Sequence, residues 1–410
     1  MNAVLAFVII MAVWTVSDFI AKKTKSLLSS LFVASIIFLI GFLTGIFPED
    51  LLTSSSLLAL AGVVVGFIIV HLGTTISLDD FKKQWKTFII GFSTVIGIGV
   101  SLLVAGLIFG GGVQDGKYDQ VVSALDRIMG GGALNYVIAG IGSLSGGTIS
   151  VLIIQEAALD VGLSSVAIFP VLIAALQGLV GFPLTSIILK KEAARLSGEY
   201  DAGRLEAPVV VDNGEAKESK LPDAFTTTAG TLFVVGVTVL VSILINNLTN
   251  GILNTFVVAL ILGITLRATG IFKPSVLTGI DSLGLMMIAI MILVFGPLAT
   301  VQPSDVAALA VPLLLAFLFG IAGIALFAGV VGKLLGYSVP MSIAIGLTSL
   351  YGFPGTLILS QEAARGAGKT PEEVAAIEGQ ILPKMIIAGF STVTITSVIV
   401  TSIIAAGIGS

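Results

Sequence analysis

The chain has 410 residues and no cysteine, which excludes disulfides, zinc–thiolate sites and iron–sulfur clusters. Its single histidine, His71, excludes a multi-histidine metal centre. With neither a His/Cys constellation nor a metal-ligand cluster for chemistry, an enzyme is not expected, and no nucleic-acid partner is expected either. Charged residues make up 11% of the chain, against about 25% in a soluble domain. No basic stretch precedes the apolar residues 1–20, so they read as a first span, not a cleaved leader.

Hydrophobic residues make up 56% of the chain, and the mean hydropathy is +1.11. Those values predict a polytopic membrane protein; an all-α fold and the inner (plasma) membrane are expected for it. Segments that approach the roughly 20 residues of a bilayer core fall near 2–20, 27–46, 56–74, 86–110 and 165–189. A second set falls near 225–245, 251–267, 281–299, 307–332 and 383–406. Between the sets, residues 191–224 form the only long polar stretch and read as a solvated cytoplasmic linker.

One stretch occurs twice. Residues 143–158 read SLSGGTISVLIIQEAA and residues 349–364 read SLYGFPGTLILSQEAA, aligned without a gap at an offset of 206. A weaker correspondence, from Thr75 to Asp80 and from Thr300 to Asp305, precedes the fourth segment of each set. Both acids are expected to cap the helices that follow them. The chain thus reads as two repeats, 1–190 and 225–410, each with five spans and one Gly-rich segment (about 134–160 and 340–364).

Basic residues collect in cytoplasmic loops and so decide the topology. If each Gly-rich segment is a re-entrant hairpin and the N-terminus is outside, every Lys and Arg except Lys117 and Arg127 lies inside. If both segments cross fully, the nine positives from Lys190 to Lys220 and at Arg267, Lys273 and Lys333 move outside, and the bias disappears. The re-entrant arrangement is therefore predicted. Five crossings per repeat give the two halves opposite orientations, the architecture of secondary transporters.

Irregular backbone at membrane depth is tolerated where it is buried in protein or lines an aqueous cavity. Glycines there allow close approach and positive φ, exposing carbonyls to a cation and helix-start N–H groups to an anion. The candidate binding residues are Ser143, Ser145, Gly146, Gly147, Thr148 and Ser150 in the first segment, and Ser349, Tyr351, Gly352, Gly355, Thr356 and Ser360 in the second. Gln155, Glu156, Gln361 and Glu362 are further candidates, eight to ten residues beyond the tips. Acids within a membrane are functional by default, but this spacing puts them near the hairpin mouths. His71 reads as a packed interfacial residue and not as a ligand.

The two tips, Ser145-Gly146-Gly147-Thr148 and Gly352-Phe353-Pro354-Gly355-Thr356, carry a resemblance. The pattern is similar to the structural class of the sodium:glutamate symporters and the 2-hydroxycarboxylate sodium symporters, whose hairpin tips bear a GGxG-type motif. The second tip departs from it by an inserted Phe-Pro. The resemblance implies elevator-type alternating access, Na⁺ as coupling ion, a small organic anion or amino acid as substrate, and a homodimer embedded in lipid. An alternative is a cation/proton antiporter or H⁺-coupled exporter that uses Glu156 and Glu362.

Overall fold

The computed structural model describes residues 1–76, 78–109, 133–205, 220–222, 225–250, 253–278, 280 and 283–409. Among the described residues helices are the only regular secondary structure, as expected of a chain that must satisfy its backbone polar groups within lipid. In order they are α1 (Ala3–Lys23), α2 (Ser30–Leu43), α3 (Leu51–Ser54), α4 (Leu57–Thr75), α5 (Leu78–Lys83) and α6 (Trp85–Phe109). Then follow α7 (Ala133–Leu144), α8 (Thr148–Asp160), α9 (Ser164–Asp201), α10 (Thr228–Leu248), α11 (Thr255–Ala268) and α12 (Leu283–Ile292). The last are α13 (Pro303–Ala308), α14 (Ala310–Leu334), α15 (Val339–Leu347), α16 (Gly355–Ala367), α17 (Pro371–Phe390) and α18 (Ser397–Ala405).

Among the described residues eight helical segments are long and apolar enough to cross a membrane, so the chain is a helical, multi-pass membrane protein. The expected second span of each set is shorter than anticipated. Helices α2 and α11 have 14 residues each, or about 21 Å at 1.5 Å per residue. Side-chain caps at Ser29 and Asn254 start them late.

Three expectations change. The polar stretch expected from 191 begins as helix, because α9 continues to Asp201. Arg195 bonds both Glu192, at 2.6 Å, and Glu199, at 2.5 Å, pairs one turn apart that favour helix over linker. Most of the remaining linker, with Lys117, Arg127 and Lys217, lies outside the described residues. The span expected at 383–406 belongs to a helix that starts at Pro371, capped by Thr370 with Glu372 and Glu373 in its first turn. Asp80 and Asp305 are not caps: they lie inside the short helices α5 and α13, and the N-cap of α13 is Gln302.

The chain divides into two compact units, each made of three separate stretches of sequence. The first comprises Met1–Ala12, Asp50–Trp85 and Glu206–Gly296. In it α4 and α11 cross almost backbone to backbone: a Cβ on Gly263 would lie 2.5 Å from the Val70 carbonyl, and one on Gly73 3.0 Å from the Gly263 Cα. Small residues at a crossing allow this approach, the usual basis of helix association in lipid.

The end of α4 also anchors the turn at 275–277. Ser275 N–H donates to the Thr74 carbonyl at 3.2 Å, Val276 N–H to Thr74 Oγ1 at 3.0 Å and Leu277 N–H to His71 Nδ1 at 3.1 Å. A backbone N–H can only donate, so Nδ1 carries no proton and His71 is the neutral Nε2–H tautomer. His71→Leu strands the Leu277 N–H and is expected to lower unfolding stability by about 1–3 kcal/mol. His71→Asn, which can offer Oδ1 to the same donor, is expected to keep most of it. Thermal unfolding of the detergent-solubilised protein checks the pair.

The second unit comprises Val13–Glu49, Lys86–Leu205 and Pro297–Ser410. Its core joins Tyr136, Phe169, Leu172, Leu313, Ile324 and Leu347, with the Tyr136 and Phe169 rings edge to face at 5.2 Å. Here α6 and α14 cross at Gly97 and Gly323, where a Cβ on either glycine would run into the other's carbonyl. Both Gly-rich segments lie in this unit.

Candidate functional site

Each Gly-rich segment folds as helix, break, helix. In the first, α7 stops at Leu144, Gly146 and Gly147 take φ of 91° and 93°, and α8 starts at Thr148. In the second, α15 passes into a 3-10 turn at Thr348–Leu350, Gly352 takes φ of 59°, and α16 starts at Gly355 after a cis Phe353–Pro354 bond. These φ values are glycine conformations. Each break therefore falls on glycine.

The tips meet. A Cβ on Gly146 would run into the Ser349 carbonyl of the other tip, and a Cβ on Gly147 into the Val393 carbonyl. Gly352 also faces Val393, with 3.2 Å from a Cβ to its Cγ2. Val393 lies in a π-helical turn, Ser391–Thr396, that interrupts the helix formed by α17 and α18. Thr392 Oγ1 in the same turn is 3.3 Å from Thr348 Oγ1. Backbone from three places in the sequence thus comes together at van der Waals contact.

At this junction α8 and α16 present N-termini that no side chain caps. Their N-cap residues, Gly147 and Pro354, make no side-chain cap bond, and neither first turn contains an acid. A helix start carries roughly half a positive charge in unpaired N–H groups. Around it, hydroxyls divide into two sets. Ser143, Ser145 and Ser360 donate to carbonyls one turn back (Ala139, Ile141 and Thr356 respectively) at 2.5–2.6 Å. Ser150, Ser349 and Thr356 have buried oxygens without a hydrogen-bond partner. So do Ser186 and the Gln177 side-chain oxygen Oε1 on α9 and Thr401 on α18. Buried polar groups without partners are uncommon.

The Gln-Glu pairs lie elsewhere. Glu156 is exposed and Gln155 half-buried. Gln361 donates to Glu378 of α17 at 3.2 Å, and Glu362 is directed to the turn between α1 and α2. The second pair is thus tied to α17 and to the turn between α1 and α2. Thr148 stands at the first position of α8.

Two elements of the junction escaped the sequence reading. One is the π turn, written STVTIT, a run rich in β-branched residues with low helix propensity. π turns inside α-helices occur often at functional sites. The other is a Gly-Phe dipeptide repeated in the helices after the two segments. Gly181 packs on Tyr351 and Gly389 on Thr356. Phe182 lies 5.4 Å from the Tyr351 ring and Phe390 stacks on Phe353 at 5.9 Å. The repeat 181–182 and 389–390 was a readable signal.

No family model matches the chain, and no curated protein matches it.

Proposed function

We propose that the protein is a secondary active transporter that binds a small organic anion or amino acid at the junction of its two Gly-rich tips, with Na⁺ as the coupling ion. The observation that carries this reading is the convergence of two uncapped helix N-termini with buried hydroxyls that have no partner. Helix starts favour a carboxylate, and the unpartnered hydroxyls offer further donors and acceptors. No buried arginine is needed for an anion held in this way.

The wider mechanism belongs to the same proposal. The Gly-rich segments are re-entrant hairpins, and the two halves are repeats of inverted orientation. Support comes from the pairing of Gly97 with Gly323 in the fourth span of each half and from the placement of both hairpins in one compact unit. A unit that holds both hairpins and a second unit that holds neither suit a carrier and a scaffold, as elevator transport requires. A homodimer in the inner membrane completes the reading.

The unpartnered oxygens provide the test. Deleting a hydroxyl with a protein partner costs stability, whereas deleting one without a partner costs little or none. Ser349→Ala and Thr356→Val are therefore expected to unfold at the wild-type temperature. In wild type, dicarboxylates or acidic amino acids in sodium chloride, but not in choline chloride, are expected to raise that temperature, by the equivalent of about 2.7 kcal/mol at a hundredfold excess over Kd. Each variant is expected to bind about tenfold or more weakly, since a hydrogen bond to a charged group is worth about 1.5–3 kcal/mol. No stabilisation by any such anion with Na⁺, or full stabilisation of both variants, would sink the reading.

A further inference from the structure

Glu156 and Glu362 occupy equivalent places in the repeated stretch, but the structure treats them differently. Glu156 is exposed on α8. Glu362 packs α16 against the turn that enters α2, a helix of 14 residues whose N-cap Ser29 accepts from Phe32 N–H. The Glu362 Oε1 accepts from Ser30 N–H at 3.0 Å and also from Ser30 Oγ. Ser26 Oγ donates to the Glu362 carbonyl at 2.9 Å. Gly366, one turn on, lies against the Lys25 carbonyl, 3.1 Å from where a Cβ would stand. Ser29 and Ser30 are almost fully buried.

The other carboxylate oxygen, Oε2, is buried and has no partner. The charged groups that act on this carboxyl are Asp18 on α1 and Arg365 on α16, while Lys22 and Lys25 lie at the end of α1 and in the turn after it, and Glu378 on α17 meets the neighbouring Gln361. Asp18 and Lys22 are paired at 2.6 Å, Arg365 is exposed, and Glu378 is held by Gln361. None of them bonds to Glu362. Among the described residues no group of three acids or histidines forms a metal cage.

Two effects oppose each other at this carboxyl. The two Ser30 donors and the start of α2 stabilise an ionised Oε1. A charge whose second oxygen is buried without a donor is costly, and the neutral acid avoids most of that cost. We propose that Glu362 is a reversible proton-binding site, in which Oε2 takes a proton from water while Oε1 keeps both bonds from Ser30. The proton returns to water when the carboxyl ionises. The site stands on its own geometry; its use in transport, as a proton carried on the second hairpin, rests on the function proposed above.

The test is infrared difference spectroscopy of the purified full chain, titrated from mildly acidic to mildly alkaline buffer. A carbonyl stretch of a protonated carboxylic acid is expected in wild type, disappearing as the pH rises. It is expected to be lost in Glu362→Gln and kept in Glu156→Gln. Should Glu362→Gln fail to fold, Ser30→Ala serves instead: with one donor to the ionised form removed, the midpoint is expected to move to higher pH. No titrating band in wild type, a band that survives Glu362→Gln, or a midpoint unmoved by Ser30→Ala would overturn the proposal. A band that titrates as expected in a protein that no anion stabilises would leave the proton site standing and remove the transport reading.

Discussion

Gly147→Ala is expected to lower the unfolding free energy by roughly 2–4 kcal/mol, a large effect for one methyl group. Two costs combine. At φ 93° any L side chain is strained, by about 1–2 kcal/mol. The new Cβ would also run into the Val393 carbonyl, a backbone atom held in its helix that cannot turn aside as a side chain does. Gly146→Ala meets the Ser349 carbonyl in the same way, at φ 91°. The control is Gly62→Ala in α4, where nothing beyond the backbone of its own helix turn and its chain neighbours lies within 4 Å of a Cβ. There the higher helix propensity of alanine is expected to leave stability unchanged or raised by up to about 1 kcal/mol. Thermal unfolding in one detergent ranks the three. If Gly147→Ala unfolds with Gly62→Ala, the first tip does not touch the π turn as described.

Gly323→Ala is expected to cost about 1–3 kcal/mol by overpacking the crossing of α6 and α14. Its Cβ would overlap the Gly97 carbonyl, while a Cβ on Gly97 would lie 2.6 Å from the Gly323 carbonyl and 2.7 Å from Phe327. Relief requires the two helices to separate, and separation exposes no hydrophobic surface to water in a bilayer but loses packing. Once Gly323→Ala has parted them, Gly97→Ala meets a wider gap. The double variant is therefore expected to lose clearly less than the sum of the singles, since substitutions in contact couple. A strictly additive cycle would count against a shared crossing.

The spans were legible because a bilayer demands a continuous apolar run, a requirement that hydropathy reads directly. The breaks were legible because backbone at φ near 90° selects glycine. Polar helix was harder to read. The stretch from Lys191 to Asp201 and the start of α17 at Pro371 carry too much charge for a span, and hydropathy passed them over. Local signals were nevertheless present in Glu192, Arg195 and Glu199 at one-turn spacing and in Thr370 ahead of Pro371, Glu372 and Glu373.

The chemistry of the tips was legible only as residue type. Ser145 and Ser150 are equivalent on paper, yet Ser145 bonds back to Ile141 and Ser150 has no partner. That distinction depends on a rotamer and on the carbonyl one turn behind, which no one-dimensional pattern records. Glu156 and Glu362 share the same local sequence, Gln-Glu-Ala-Ala. Their fates differ because Ser26 and Ser30, more than 300 residues before Glu362, fold against only one of them.

The π turn at Ser391–Thr396 has a consequence for chain length. A π turn holds about one residue more than the α turn it replaces, so it acts as a single-residue insertion that the helix absorbs. Each residue advances an α-helix by about 100°, from 3.6 residues per turn. Removing one residue from the turn would restore regular helix but rotate everything after it by that angle. Thr401, buried on the inner face of α18, would swing out of the unit, and Ile403, now 71% exposed, would change sides with it. In this helix the spelling of residues 391–396 matters less than their number.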